Sequence, residues 1–167
     1  MRPLSVPAAL LLALPAFSQA TPPTASATAV VRANIQVPIS ITKMSDLNFG
    51  TMIATPLAGR VTVDPFGVRT ATGGVVLANT SVFGVSAAGF QVNGEPNTTF
   101  SLLLPITAQM TYGAYSMLVD GFITDGAPYK LSVNGGQHLS VGASLSVGAN
   151  QAPGLYSGSF TVTVAYN

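Results

Sequence analysis

The feature that most constrains the fold is a strict alternation of apolar and polar side chains near the start of the chain. From Ala25 to Ile41 every odd position is apolar, and the even positions are polar except Val30 and Pro38. In a β-strand successive side chains point to opposite faces, so this two-residue period predicts extended chain. Beyond residue 20 the sequence shows no convincing 3.6-residue apolar spacing, which favours an all-β protein.

The same alternation returns at the end of the chain, where apolar even positions are separated mainly by Ser and Thr. Short strands fit between turn signals at Asp64-Pro65, Gly73-Gly74, Asn93-Gly94, Asp120-Gly121, Asp125-Gly126, Asn134-Gly135-Gly136 and Pro153-Gly154. With no helices to cover a parallel sheet, the pattern predicts an immunoglobulin-like antiparallel β-sandwich. The sequence stops at Asn167 on its final strand. We therefore expect an incomplete sandwich with an open edge.

The first twenty residues have the layout of a secretory signal peptide. Arg2 precedes an apolar stretch from Leu4 to Phe17, and the small residues Ser18 and Ala20 fit a cleavage site before Thr21. The stretch is too short to span a bilayer, although an uncleaved anchor is the alternative. The sequence thus predicts an exported protein with no membrane span after cleavage, in the periplasm in transit and then on the cell surface or outside the cell.

The alternating segment is too long for one strand of a small sandwich. Its seventeen residues would extend roughly 56 Å. Pro38 lacks an N–H and is typical of a strand start or an edge. We therefore divide the chain into a signal peptide at residues 1–20, an arm at residues 21–37 and a β-sandwich domain at residues 38–167.

Composition argues against catalysis and against nucleic-acid binding. The chain has one His, no Cys, five carboxylates and six basic residues. One imidazole cannot supply a nucleophile, a base and an orienting group, and the carboxylates lack the spacing of a calcium loop. His138 falls on the outward phase of its strand. We predict no enzyme activity, no cofactor, no metal site and no nucleic-acid partner.

Several motifs resemble a known family of bacterial exported proteins. These are Asp46-Leu47-Asn48-Phe49-Gly50 after Pro38–Lys43, Val147–Gln151, and the ending with Gly154, Tyr156, Gly158 and Phe160–Asn167. They resemble the family called domain of unknown function forty-four-oh-two, whose members are similar to fimbrial subunits of the chaperone and usher pathway. The chain lacks the cysteine pair of the commonest pilins.

The resemblance implies donor-strand complementation, in which the arm of one subunit adds a strand to the incomplete sheet of the next. The expected donor side chains are Ala27, Ala29, Val31, Ala33, Ile35 and Val37. The expected acceptor strand presents Tyr156, Phe160, Val162, Val164 and Tyr166. The implied partners are other copies or related fibre subunits, a periplasmic chaperone and an outer-membrane usher.

Two alternatives stay open at this point. The arm could fold back and complete its own sheet in cis, which would give a closed monomer instead of a fibre. The domain could also be a self-contained secreted binding module for a glycan or a surface protein. The sequence predicts a structural subunit of a surface fibre as the first hypothesis and this binding module as the second.

Overall fold

A computed structural model of the protein describes residues 22–79 and 84–167. The predicted signal peptide and Thr21 lie outside the described residues. Residues 1–34 and 35–167 form two separate units. In the first unit, the described residues 22–34 are exposed and none of them belongs to a strand. All strands among the described residues lie in the second unit.

Residues 35–167 form an all-β domain, and no helix occurs among the residues that the structure describes. The described part of the chain contains ten strands: β1 (Ser40–Ser45), β2 (Met52–Val63), β3 (Arg69–Leu77), β4 (Ala88–Asn93), β5 (Phe100–Leu103), β6 (Thr107–Tyr112), β7 (Tyr115–Thr124), β8 (Gly136–Val147), β9 (Ser157–Gly158) and β10 (Thr163–Tyr166). Strand β1 begins two residues after Pro38. The predicted antiparallel β-sandwich is confirmed: a large curled sheet packs with a small second sheet.

The large sheet is organised around the long strand β8. Its path is β1-β4-β8-β7-β6-β9, and β2 also pairs with β8 and carries β3 on its other side. The first half of β8 pairs with β4 and the second half pairs with β2. One face of β8 presents Leu139, Val141, Ala143, Leu145 and Val147, all of them buried. The apolar side chains of β8 therefore keep a single inward phase along the strand, and His138 on the opposite phase is exposed.

Gly142 lies where the neighbour of β8 changes from β4 to β2. A Cβ atom at this position would lie 2.3 Å from the carbonyl oxygen of Val63 and 2.6 Å from the carbonyl carbon of Asp64. Backbone approaches this close exclude any side chain, so the junction requires glycine.

The apolar interior consists of two clusters. One contains Val92, Phe100, Leu131 and Leu139 and is packed against Val164 and Tyr166 of the small sheet formed by β5 and β10. We call this region the closed half. The other cluster contains Phe49, Val61, Val63, Val75, Met117, Val119, Ala143, Leu145 and Val147. We call this region the open half, because cavities adjoin one side of it.

Two local predictions were wrong. Gly73-Gly74 and Asp120-Gly121 lie inside β3 and β7, at places where the pairing register shifts, because a bulge uses the same residue types as a turn. The final strand is also divided: β9 joins the large sheet through β6, and β10 joins the small sheet through β5. Its side chains nevertheless keep the predicted alternation, with even positions from Phe160 to Tyr166 facing inward and odd positions exposed.

Candidate partner-binding groove

The two outermost strands of the main sheet path, β1 and β9, face each other across a cavity. Strand β1 pairs with β4 and β9 pairs with β6, and in the described part of the chain neither has a strand on its other side. The cavity between them measures about 220 Å³. Its apolar lining includes Phe49, Ala88, Phe90, Ala108, Val119 and Phe160. The sheet curls towards closure here, and no strand within residues 22–79 and 84–167 completes it.

A wider cavity continues from the first one. It measures about 880 Å³ and lies between residues 47–54 on one side and residues 150–156 on the other. Met110, Met117, Leu145 and Val147 also line it. The two cavities are adjacent, because Leu47, Phe49 and Met110 line both, and we treat the pair as one region. We call it the groove; its walls are residues 43–54 and residues 150–160.

The first wall is held by hydrogen bonds to the carbonyl groups of its backbone. The guanidinium of Arg69 donates to the carbonyl oxygens of Phe49 and Thr51, both at 3.0 Å, and to that of Ala78 at 2.8 Å. Asn48 forms a two-way backbone bridge with Ser86, and its side-chain amide donates to the Ser86 hydroxyl at 3.1 Å. The motif Asp46–Gly50 is therefore a fixed wall with Phe49 turned into the core.

The second wall is ordered by a tyrosine. The hydroxyl of Tyr156 donates to the carbonyl oxygen of Ala152 at 2.9 Å and accepts from the side-chain amide of Gln151 at 2.8 Å. The backbone N–H of Asn150 donates to the carbonyl oxygen of Thr55 at 2.8 Å, which ties this loop to β2. A Cβ atom at Gly158 would lie 2.2 Å from the carbonyl oxygen of Gln109, so glycine lets β9 approach β6. Both walls are thus built by local contacts and do not depend on an occupant.

The predicted acceptor residues divide between two places. Tyr156 and Phe160 line the groove. Phe160 also contacts Phe122 and Phe90, with ring centroids 4.9 Å and 6.2 Å away. Val162 is buried, and Val164 and Tyr166 belong to the closed half. The groove therefore uses only the first part of the predicted acceptor strand.

The predicted donor residues carry exposed apolar side chains. Ala27, Ala29 and Ala33 are exposed, and Val31 and Ile35 are 92% and 95% exposed. Val37 differs because it is held by the domain: its N–H donates to the Glu95 carboxylate at 3.1 Å, and its carbonyl accepts from the Tyr166 hydroxyl at 2.7 Å. Sequence reasoning missed this contact, since Glu95 is 58 residues away from Val37 and a turn signal such as Asn93-Gly94 does not predict a tertiary partner.

Sequence reasoning also missed most of the groove lining. The lining residues Met110 and Met117 have no signal of their own, because a methionine on an inward phase has the same pattern whether it faces a packed core or a cavity. The bonds of Arg69 to the wall have no local pattern either. Phe49 lies in a motif that carries the family resemblance, but that motif does not predict a place in a groove. In the described part of the chain no three His, Cys, Asp or Glu side chains gather as a metal site would require. No helix among those residues is long and apolar enough to cross a bilayer.

Comparison with known proteins identifies the domain. The family model described as Domain of unknown function (DUF4402) matches residues 39–166. The chain belongs to this family. The match extends from next to the start of β1 to the end of β10, so the DUF4402 domain and the folded sandwich are the same unit. No curated protein and no solved structure matches the chain. The likeness of DUF4402 proteins to fimbrial subunits stays a prediction.

Proposed function

We propose that this DUF4402 protein is an exported structural subunit of a bacterial surface fibre, assembled by donor-strand complementation. The observation that carries the proposal is the combination of an open apolar groove with an exposed alternating segment on the same chain. An unpaired strand edge recruits other chains, and a groove of this kind fits one added strand. We infer that the groove receives the arm of a second copy.

The arm suits the groove by its chemistry and its shape. From Ala25 onward its odd positions are apolar, and Arg32 is its one charged residue. From Ala25 to Ile35 it would extend about 33 Å as a strand. Burying Val31 and Ile35 would contribute on the order of 1.5 to 3 kcal/mol each. Hydrogen bonds to β1 and β9 would give affinity, and side chains on one face of the arm would fill the cavities.

Such a contact joins different surfaces of the two copies. A head-to-tail contact propagates into a fibre unless its rotation closes a ring. Each subunit needs its groove shielded until a donor arrives, because an exposed apolar edge aggregates. We therefore include a periplasmic chaperone and an outer-membrane usher among the proposed partners, and we place the finished fibre on the cell surface.

Two substitutions at neighbouring positions, whose side chains point to opposite faces of the extended arm, test the proposal. We expect Ile35→Asp to abolish multimers, because it would bury a carboxylate in an apolar groove, at a cost of about 3 kcal/mol or ~100-fold in affinity. Asn34→Asp, whose side chain lies on the other phase, adds the same charge and should assemble normally. Both full-length variants are exported, purified and compared with wild type by size-exclusion chromatography and negative-stain electron microscopy.

A synthetic peptide covering residues 22–36 gives a second readout. It should bind the Ile35→Asp variant, whose own arm cannot compete, and the same peptide with Ile35→Asp should not bind. Wild-type protein that is monomeric and shows no fibres would overturn the proposal. That result would favour the self-contained binding module.

A further inference from the structure

Both backbone groups of one residue at the base of the arm are held by the domain. Val37 donates its N–H to the Glu95 carboxylate and accepts at its carbonyl oxygen from the Tyr166 hydroxyl. The same hydroxyl accepts from the backbone N–H of Glu95 at 2.6 Å, which closes a ring of three hydrogen bonds. We call this arrangement the Val37 clamp. It lies in residues 35–167, the unit that contains the groove.

The Val37 clamp determines where the arm can turn. To fill the groove of its own domain, the arm would have to reverse close to Pro38 and run back along β1 to reach the wall at Lys43 and Ser45. A reversal there would need new backbone partners for Val37, whose N–H and carbonyl are already used. Val37 also precedes a proline, and a residue in that position disfavours the α region of backbone conformation. Common turns need a residue in the α region, so the proline makes a turn at Val37 less favourable. The hydrogen bonds of the Val37 clamp and the backbone restriction imposed by Pro38 therefore both oppose this reversal of the arm.

We propose that Tyr166 and Glu95 are positioning residues that commit the arm to a second copy by preventing closure in cis. The inference rests on the proposed function, and it decides between the two arrangements that the sequence leaves open. It also shortens the donor: Val37 stays with its own domain, and residues 22–36 are the part available to a neighbour. Clamp hydrogen bonds are kept in the trans arrangement and lost in the cis arrangement.

The test measures how the full-length chain divides between multimers and closed monomers. Trypsin at Arg32 distinguishes the states: a free arm is cut, whereas an arm paired in cis or in trans is protected. We expect Tyr166→Phe to raise the ratio of protected monomer to multimer about fivefold, the effect of losing the hydrogen bond to the Val37 carbonyl oxygen, because the bond from the Glu95 N–H is lost in both arrangements and cancels. Tyr115→Phe is the matched control, because Tyr115 is an exposed tyrosine of the β6–β7 turn.

A second pair of variants acts on the other hydrogen bond of the clamp and leaves the packing of β10 intact. Glu95→Ala removes the acceptor of the Val37 N–H and should shift the ratio in the same direction by a similar factor. Glu95→Gln keeps an oxygen acceptor at this place and should behave like wild type. A merely structural role for Glu95 would not give this difference, because neither change alters the core.

The outcomes separate the inference from the proposed function. If wild type forms multimers and both Tyr166→Phe and Glu95→Ala keep the wild-type ratio, the clamp does not direct the arm and the inference is overturned. If Tyr166→Phe unfolds, the Glu95 pair alone decides. If the wild type is monomeric, the proposed function itself fails, whether or not trypsin cuts at Arg32.

Discussion

The closed half and the open half of the domain share strand β8 but finish their cores differently. In the closed half, β10 pairs with β5 and presents Val164 and Tyr166 to Leu139 and its neighbours. In the open half, the two edges β1 and β9 leave a groove over Phe49, Met110 and Met117. The C-terminal segment contributes to both, through β10 in one and through β9 and Phe160 in the other.

This difference shows which part of the domain has an apolar core that is covered without a second chain. A packed core loses dispersion contacts and admits water wherever one side has no neighbouring atoms. The closed half has its own covering strand, whereas among the described residues nothing with strand structure covers the groove. Stability should therefore be concentrated in the closed half and at the β8 junction, and the open half should gain from an added strand.

The largest effect should come from the residue that joins the two halves. Gly142→Ala would force a methyl group into the backbone of Val63 and Asp64, and we expect a loss of about 4 kcal/mol in the free energy of unfolding. Gly148→Ala is the control, since the added methyl would meet only the end of the Gln151 side chain. Both glycine variants are made in the Ile35→Asp background to exclude assembly. Their free energies of unfolding are measured by urea titration monitored by circular dichroism. Equal losses would mean that the approach of β2 to β8 is not tight.

Truncations in the two cores compare the halves directly. Leu139 is fully buried in the closed half, so Leu139→Ala should cost about 3 kcal/mol. Met117 is 8% exposed and lines the groove, so Met117→Ala only enlarges an existing cavity and should cost about 1.5 kcal/mol. The same urea titration gives both values. A larger loss for Met117→Ala would show that the open half is already packed without an added strand.

Two arginines allow the stability contribution of the groove wall to be compared with that of an ion pair on the outer surface. Arg69 supplies three hydrogen bonds to backbone carbonyls, and we expect Arg69→Met to cost about 2 kcal/mol and to speed hydrogen exchange at residues 49–51. Arg60 pairs with Asp120 in partly exposed surroundings, and Arg60→Met should cost under about 1 kcal/mol. If Arg69→Met binds the arm peptide with the same affinity as protein that keeps Arg69, the groove wall does not need this arginine.

The strands were predictable because their signal is local. Alternation in the sequence sets the inward phase of β8 and of the C-terminal segment, and both phases are as expected. The division of the final strand into β9 and β10 was not predictable, since the same alternation continues through Phe160 and Val162 while the partner changes from β6 to β5. Pairing partners are set by distant residues, which a local period does not encode.

The groove was predictable only as a missing strand. Tyr156 and Phe160, two of the predicted acceptor residues, line the groove, but the wall at residues 43–54 and the methionines come from the curl of the sheet. The Val37 clamp joins residues far apart in the chain and has no sequence signal at all. Donor residues could be proposed from the sequence because an arm is a local feature, whereas its attachment is a tertiary one.

The smallest effect should come from the ion pair at the rim of the groove. The ammonium of Lys43 lies 2.6 Å from the carboxylate of Asp46, and the two side chains are 60% and 68% exposed. An exposed pair gains little from its attraction, so Lys43→Met should change the free energy of unfolding by less than about 0.5 kcal/mol. Lys130→Met, an exposed lysine beside the closed half, is the control and should give the same small value in urea. A loss above about 1 kcal/mol for Lys43→Met alone would mean that the rim stabilises the empty groove, and the contrast between the halves would then be smaller than their packing indicates.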